Sequence, residues 1–140
     1  MALAAAPVQA QNFIGTWGND TFNGTSGNDF MMGSYGHDRL YGHDGHDWIM
    51  GEHDNDTLTG GWGNDSIQGG YGRDNIYGGG GNDVLHADND GEKDWHTSGE
   101  FIDGGTGYDK CWAFKGDQFF PKDIVVNCEE VYYFHRFTHG

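Results

Sequence analysis

A chain of 140 residues with 26 glycines, 2 prolines and 35 % hydrophobic residues has room for one domain and for no large conventional core. The glycine follows no Gly-x-y period, which excludes a collagen-like rod. A formal net charge of -15 with no basic patch excludes a nucleic-acid binder, and so many carboxylates repel one another in a compact state unless something positive neutralises them.

The first fourteen residues read as a tail. Val8-Gln9-Ala10 has the small-x-small shape of a signal-peptide cleavage site, but the basic start is missing and the apolar part is short, so a trimmed signal and a disordered tail both fit. No apolar run approaches the roughly 18 residues of a membrane span.

From Gly15 to His86 the chain repeats one nine-residue unit eight times without a slip: GTWGNDTFN, GTSGNDFMM, GSYGHDRLY, GHDGHDWIM, GEHDNDTLT, GGWGNDSIQ, GGYGRDNIY and GGGGNDVLH. Position six is always aspartate: Asp20, Asp29, Asp38, Asp47, Asp56, Asp65, Asp74 and Asp83. Position eight is always apolar: Phe22, Met31, Leu40, Ile49, Leu58, Ile67, Ile76 and Leu85. The first six residues of each unit have turn chemistry, because glycine permits positive φ and close backbone approach. The last three alternate out, in, out, the period of a very short strand. Such a strand persists only when stacked on copies of itself. Two units per coil give a parallel β-roll of about four coils, which makes the fold class all-β with a C-terminal β cap.

Stacking puts Asp20, Asp38, Asp56 and Asp74 along one edge and Asp29, Asp47, Asp65 and Asp83 along the other. Rows of like charge need counterions. Carboxylates with carbonyls from glycine-rich turns form a hard oxygen set that suits calcium better than magnesium, and zinc would prefer His and Cys. About six ions would fit between like-sided neighbours. Asp54 stands where a glycine is expected, so its turn is either strained or supplies an extra ligand.

The unit GGxGxDx-apolar-x resembles the RTX (repeats-in-toxin) calcium-binding nonapeptide, most fully in the last three blocks. It returns at GGTGYDKCW, Gly104 to Trp112, with Asp109 in the aspartate place. The resemblance implies a parallel β-roll, calcium held by these aspartates and by turn carbonyls, and a secreted, extracellular location.

After His86 the rhythm breaks into an irregular continuation and capping segment, residues 87–140. ADNDGEKD, Ala87 to Asp94, is acidic. WHTSGEFID recovers the nine-residue length with Ile102 inward, and GGTGYDKCW places Cys111 inward. The stretch with Ile124, Val125, Val126, Val131, Tyr132, Tyr133 and Phe134 reads as one or two fuller strands closing the solenoid. The two cysteines, Cys111 and Cys128, suit a disulfide in an exported protein, worth about 3 kcal/mol in the loop-entropy model. Two buried thiols are the alternative.

Outward positions seven and nine gather Phe30, Met32, Trp48 and Met50 into an apolar patch that fits self-association, a glycan or another surface, or no role. Position three sets Trp17, Tyr35, His53 and Tyr71 along one edge and Trp62 on the other. These rings either stack on sugars or cover the turns. His37 and His46 fill the place taken elsewhere by Asn19 and Asn28, which would make folding pH-sensitive. No G-x-S-x-G, H-E-x-x-H or Walker loop occurs. His135 and His139 have no framing Asn or Asp for a Cys-His nucleophile. The sequence thus reads as a calcium-binding module without catalysis of its own. The alternative is a calcium-dependent adhesive or carbohydrate-binding protein.

Overall fold

The computed structural model describes residues 9–88, 99–114 and 123–134. The signal-like residues 1–8, the acidic Asn89–Asp94, and His135 and His139 lie outside the described residues. Among the described residues, thirteen strands alternate between two parallel sheets. The first sheet holds β1 (Asn12–Ile14), β3 (Phe30–Ser34), β5 (Trp48–His53), β7 (Ser66–Tyr71), β9 (Val84–Asp88), β11 (Lys110–Phe114) and β13 (Glu130–Phe134), in that order. The second holds β2 (Thr21–Asn23), β4 (Arg39–Asp44), β6 (Thr57–Trp62), β8 (Asn75–Gly80), β10 (Phe101–Thr106) and β12 (Ile124–Val126). Each strand pairs with the strand two ahead of it, as in Ile49↔Ile67↔Leu85. The architecture is a parallel β-roll of about six coils.

The strands are longer than the three residues that alternation indicates. From β4 to β8 each has six residues and runs through positions one to three of the following unit. Glycine has low β-propensity, so Gly-x segments read as turn, yet Gly61↔Gly79 and Gly79↔Gly105 sit in the ladder because the neighbouring coils complete their hydrogen bonds. At the start of the chain, β1 pairs with β3 through Asn12↔Phe30, Phe13↔Met31 and Ile14↔Met32, so the roll begins three residues ahead of the first unit.

The core is a double file of position-eight side chains. Met31, Leu40, Ile49, Leu58, Ile76 and Leu85 are fully buried, and Phe22 in the first coil is partly buried. Ile102 and Cys111 continue the files as the nine-residue count requires. One residue per strand is a thin core, and backbone closeness compensates for it. A Cβ built at Gly33 would lie 2.7 Å from the Gly51 carbonyl oxygen and collide with the Asp38 carboxylate. Position one therefore tolerates only glycine. The Cys111–Cys128 disulfide is formed, with Cα atoms 6.1 Å apart, and ties β11 to the chain entering β13. No helix among the described residues is long and apolar enough to cross a membrane.

Candidate metal centre

Each position-six aspartate ends a turn just before its strand, so its carboxylate enters the interior edge of the roll. The Asp20 N–H donates to Asp38 Oδ1 at 2.7 Å, Asp38 to Asp56 at 2.8 Å and Asp56 to Asp74 at 2.8 Å. On the other edge Asp29 donates to Asp47 at 2.7 Å, Asp47 to Asp65 at 2.8 Å, Asp65 to Asp83 at 2.8 Å and Asp83 to Asp109 at 2.8 Å. The two rows expected from the repeat therefore stand as two columns. Three further acidic residues, Glu129, Glu100 and Asp123, extend them. Asp109 donates its N–H to Glu129 Oε2 at 2.7 Å. Phe101 N–H bonds to Asp74 O at 2.9 Å, which puts the fully buried Glu100 one coil beyond Asp74. Glu100 in turn donates its N–H to Asp123 Oδ1 at 3.2 Å. Glu100 is position six of WHTSGEFID, a signal the sequence does carry. Asp123 and Glu129 follow no nine-residue count.

The second carboxylate oxygen decides the chemistry. Oδ2 of Asp38, Asp47, Asp56, Asp65, Asp83 and Asp109 is buried and receives no hydrogen bond. Burial first, and neighbouring aspartates after it, push these carboxyls up: Asp56 to about 8, Asp83 to about 7 and Asp65 to about 6. Asp38, Asp47 and Asp109 shift in the same direction, again chiefly through burial. A buried anionic oxygen without a donor is costly, and the cost is removed by a proton or a cation.

The surroundings suit a cation. The position-one glycine leaves open the space beside Oδ2 that a Cβ would fill, and the carbonyl of the next coil's glycine borders it, as Gly51 O does at Gly33. Carbonyls of positions two and four point along the stack: a Cβ on Gly61 would collide with His43 O, and one on Gly63 with Gly45 O. Among the described residues no three His, Cys, Asp or Glu side chains converge on one point. An ion here would complete its shell from turn carbonyls, the mixed carboxylate and carbonyl set that calcium accepts.

Position five forms a second ladder. Asn19 Oδ1 accepts from His37 N–H at 2.8 Å, His37 Nδ1 from Asn55 N–H at 3.0 Å, and Asn55 Oδ1 from Arg73 N–H at 2.9 Å. On the other edge Asn28, His46, Asn64 and Asn82 do the same in sequence. His37 and His46 do fill the asparagine place, as turn acceptors. At position four Asp54 adopts φ 74, where the other units have glycine, and its Oδ2 accepts from Gly36 N–H at 3.1 Å.

Position three forms a third. Trp17, Tyr35, His53 and Tyr71 stack with ring centroids 4.6, 4.3 and 5.1 Å apart. Interior rings of this column spend their faces on each other. On the outer face of the first sheet Phe30 meets Trp48 edge to face at 5.7 Å, beside Met32↔Met50.

The model of a family described as the RTX calcium-binding nonapeptide repeat matches the chain in four copies, at residues 14–49, 23–58, 32–67 and 59–91. Together these span more than half of the chain. No curated protein and no solved structure matches it.

Proposed function

Because the chain belongs to the RTX calcium-binding nonapeptide-repeat family, we propose that it is a secreted module whose roll is completed by calcium along both carboxylate columns. The observation that carries this reading is the row of buried Oδ2 atoms without donors at Asp38, Asp47, Asp56, Asp65, Asp83 and Asp109. These aspartates, with Asp74 in the same place, would hold the ions together with turn carbonyls. Bound calcium supplies positive charge that replaces the missing donors. The protein's own residues do the rest: position-one glycines keep the space open, and the position-five ladder holds successive turns at one spacing. The aspartates, the position-one glycines, the position-five acceptors and the inward side chains serve these ladders and the core, and the module is structural.

Without calcium, the columns repel and the one-residue-wide core gives the strands little support, so the chain unfolds. Calcium is abundant outside cells and scarce inside, so folding would follow export. Far-UV circular dichroism during a calcium titration from a chelated start tests this, with magnesium as control. A cooperative coil-to-β change with calcium alone is the expected result. A β spectrum already complete in chelator, and unmoved by calcium, would overturn it.

A second reading, a calcium-dependent adhesive, draws on the outer face of the first sheet, where Trp48 is 55 % exposed and Ile14 67 %. Retention on a polysaccharide or apolar matrix with calcium, lost in Trp48→Ala, would support it.

A further inference from the structure

The carboxylates at the ends of the columns are built differently from those in the middle. Asp20 Oδ2 accepts from the Thr16 N–H at 2.6 Å and from the Thr16 hydroxyl at 2.9 Å. Asp29 Oδ2 accepts from the Thr25 N–H at 2.6 Å, and the Thr25 hydroxyl lies 3.1 Å from both carboxylate oxygens. Asp29 Oδ1 also takes the Gln11 N–H at 2.7 Å. Each hydroxyl is fixed in turn, accepting from Gly18 N–H at 3.1 Å or Gly27 N–H at 3.0 Å. At the far end Asp123 takes three amides: Gly99 at 3.1 Å and Glu100 at 3.2 Å on Oδ1, and Phe114 at 2.6 Å on Oδ2.

The backbone explains the contrast. From the third unit onward position two is left-handed: Ser34 φ 84, His43 φ 79, Glu52 φ 83, Gly61 φ 117, Gly70 φ 101 and Gly79 φ 109. Threonine is β-branched and avoids that region, and Thr16 and Thr25 keep an ordinary negative φ. Their amides then face their own aspartates. Two protons already point at the oxygen a cation would need, and an ion entering there would strand a backbone N–H.

We propose that Asp20, Asp29 and Asp123 are metal-free caps, and that the ion columns begin at the Asp38 and Asp47 turns. This rests on the calcium reading above. It gives an end coil, which lacks a neighbour on one side, protein donors in place of an ion.

Calcium bound per chain, counted by equilibrium dialysis on the full chain, tests the proposal with wild type, D20N/D29N and D56N/D65N. The D20N/D29N variant is expected to bind as many ions as wild type, and D56N/D65N fewer. A D20N/D29N chain with the wild-type β spectrum in saturating calcium but fewer ions would overturn the proposal. Should that variant fail to fold, T16G/T25G decides. Glycine lets position two turn left-handed and frees Oδ2, so this variant is expected to gain about two ions, one per edge. An unchanged count would overturn the proposal. A wild type that binds no calcium at all would instead refute the calcium reading itself.

Discussion

Two glycines in neighbouring coils have unequal jobs. At Gly33 a Cβ meets the Asp38 carboxylate and the Gly51 carbonyl, whereas at Gly18 the nearest atom is the Thr16 hydroxyl at 3.9 Å. Gly33→Ala should therefore cost about 1–3 kcal/mol, as overpacking does, and Gly18→Ala less than about 0.5 kcal/mol. Urea melts in saturating calcium would read both, and equal losses would refute the assignment. The same logic applies to the position-five acceptors. His46→Asn keeps an acceptor for the Asn64 N–H, now bonded at 2.8 Å, and should be near neutral. His46→Ala removes it and should cost about 1 kcal/mol, measured in the same melts. The repeat points to turn chemistry at this place, but not to the coil-to-coil bonds, because their partners lie 18 residues apart.

A strand in this roll is stabilised by its neighbours more than by its own composition. Its inward residue and its position-one glycine pack against the copy one coil away, and on one edge so do the position-three rings. Tyr35 is the clearest case, stacked on Trp17 on one side and on His53 on the other. Tyr35→Ala should lose about 1–2 kcal/mol from two broken stacks, and Tyr35→Trp should lose little. Equilibrium denaturation with calcium present checks this, and a neutral alanine variant would show that the column carries no stability. The inward files and both aspartate edges are legible from the nine-residue count alone. The extent of the strands is not, since β6, β8 and β10 run on through glycines that pair with glycines, Gly61↔Gly79 and Gly79↔Gly105. Glu129 and Asp123 also escape the count, since their coils are closed by segments of other lengths, 20 residues from Asp109 and 23 from Glu100.

For the whole molecule, the raised carboxyls set the response to pH. Asp65, Asp83 and Asp56 have folded values of about 6, 7 and 8 against an ordinary 3.8. Without calcium the folded roll binds more protons than the unfolded chain between those limits, so its stability is greatest below about pH 4 and falls as pH rises toward 8. Calcium competes with the same protons, so its affinity should rise over that window. Far-UV circular dichroism in chelator should show β structure at pH 4 that is lost by pH 8. β structure that grows instead as pH rises would mean that the buried oxygens are paired in solution.

Most successive aspartates along an edge are 18 residues apart, but Asp83 and Asp109 are separated by 26. Near-identical coils carry no internal address: sliding the chain by one coil keeps apolar side chains inward and aspartates on their edges. The 26-residue step breaks that equivalence. A misthreaded chain would have to place the surplus, 26 less 18 residues, in a turn closed by glycine-to-carbonyl contact. The long step thus serves as a zero mark from which the equal ones are counted, and the Cys111–Cys128 bond fastens the coil beside it.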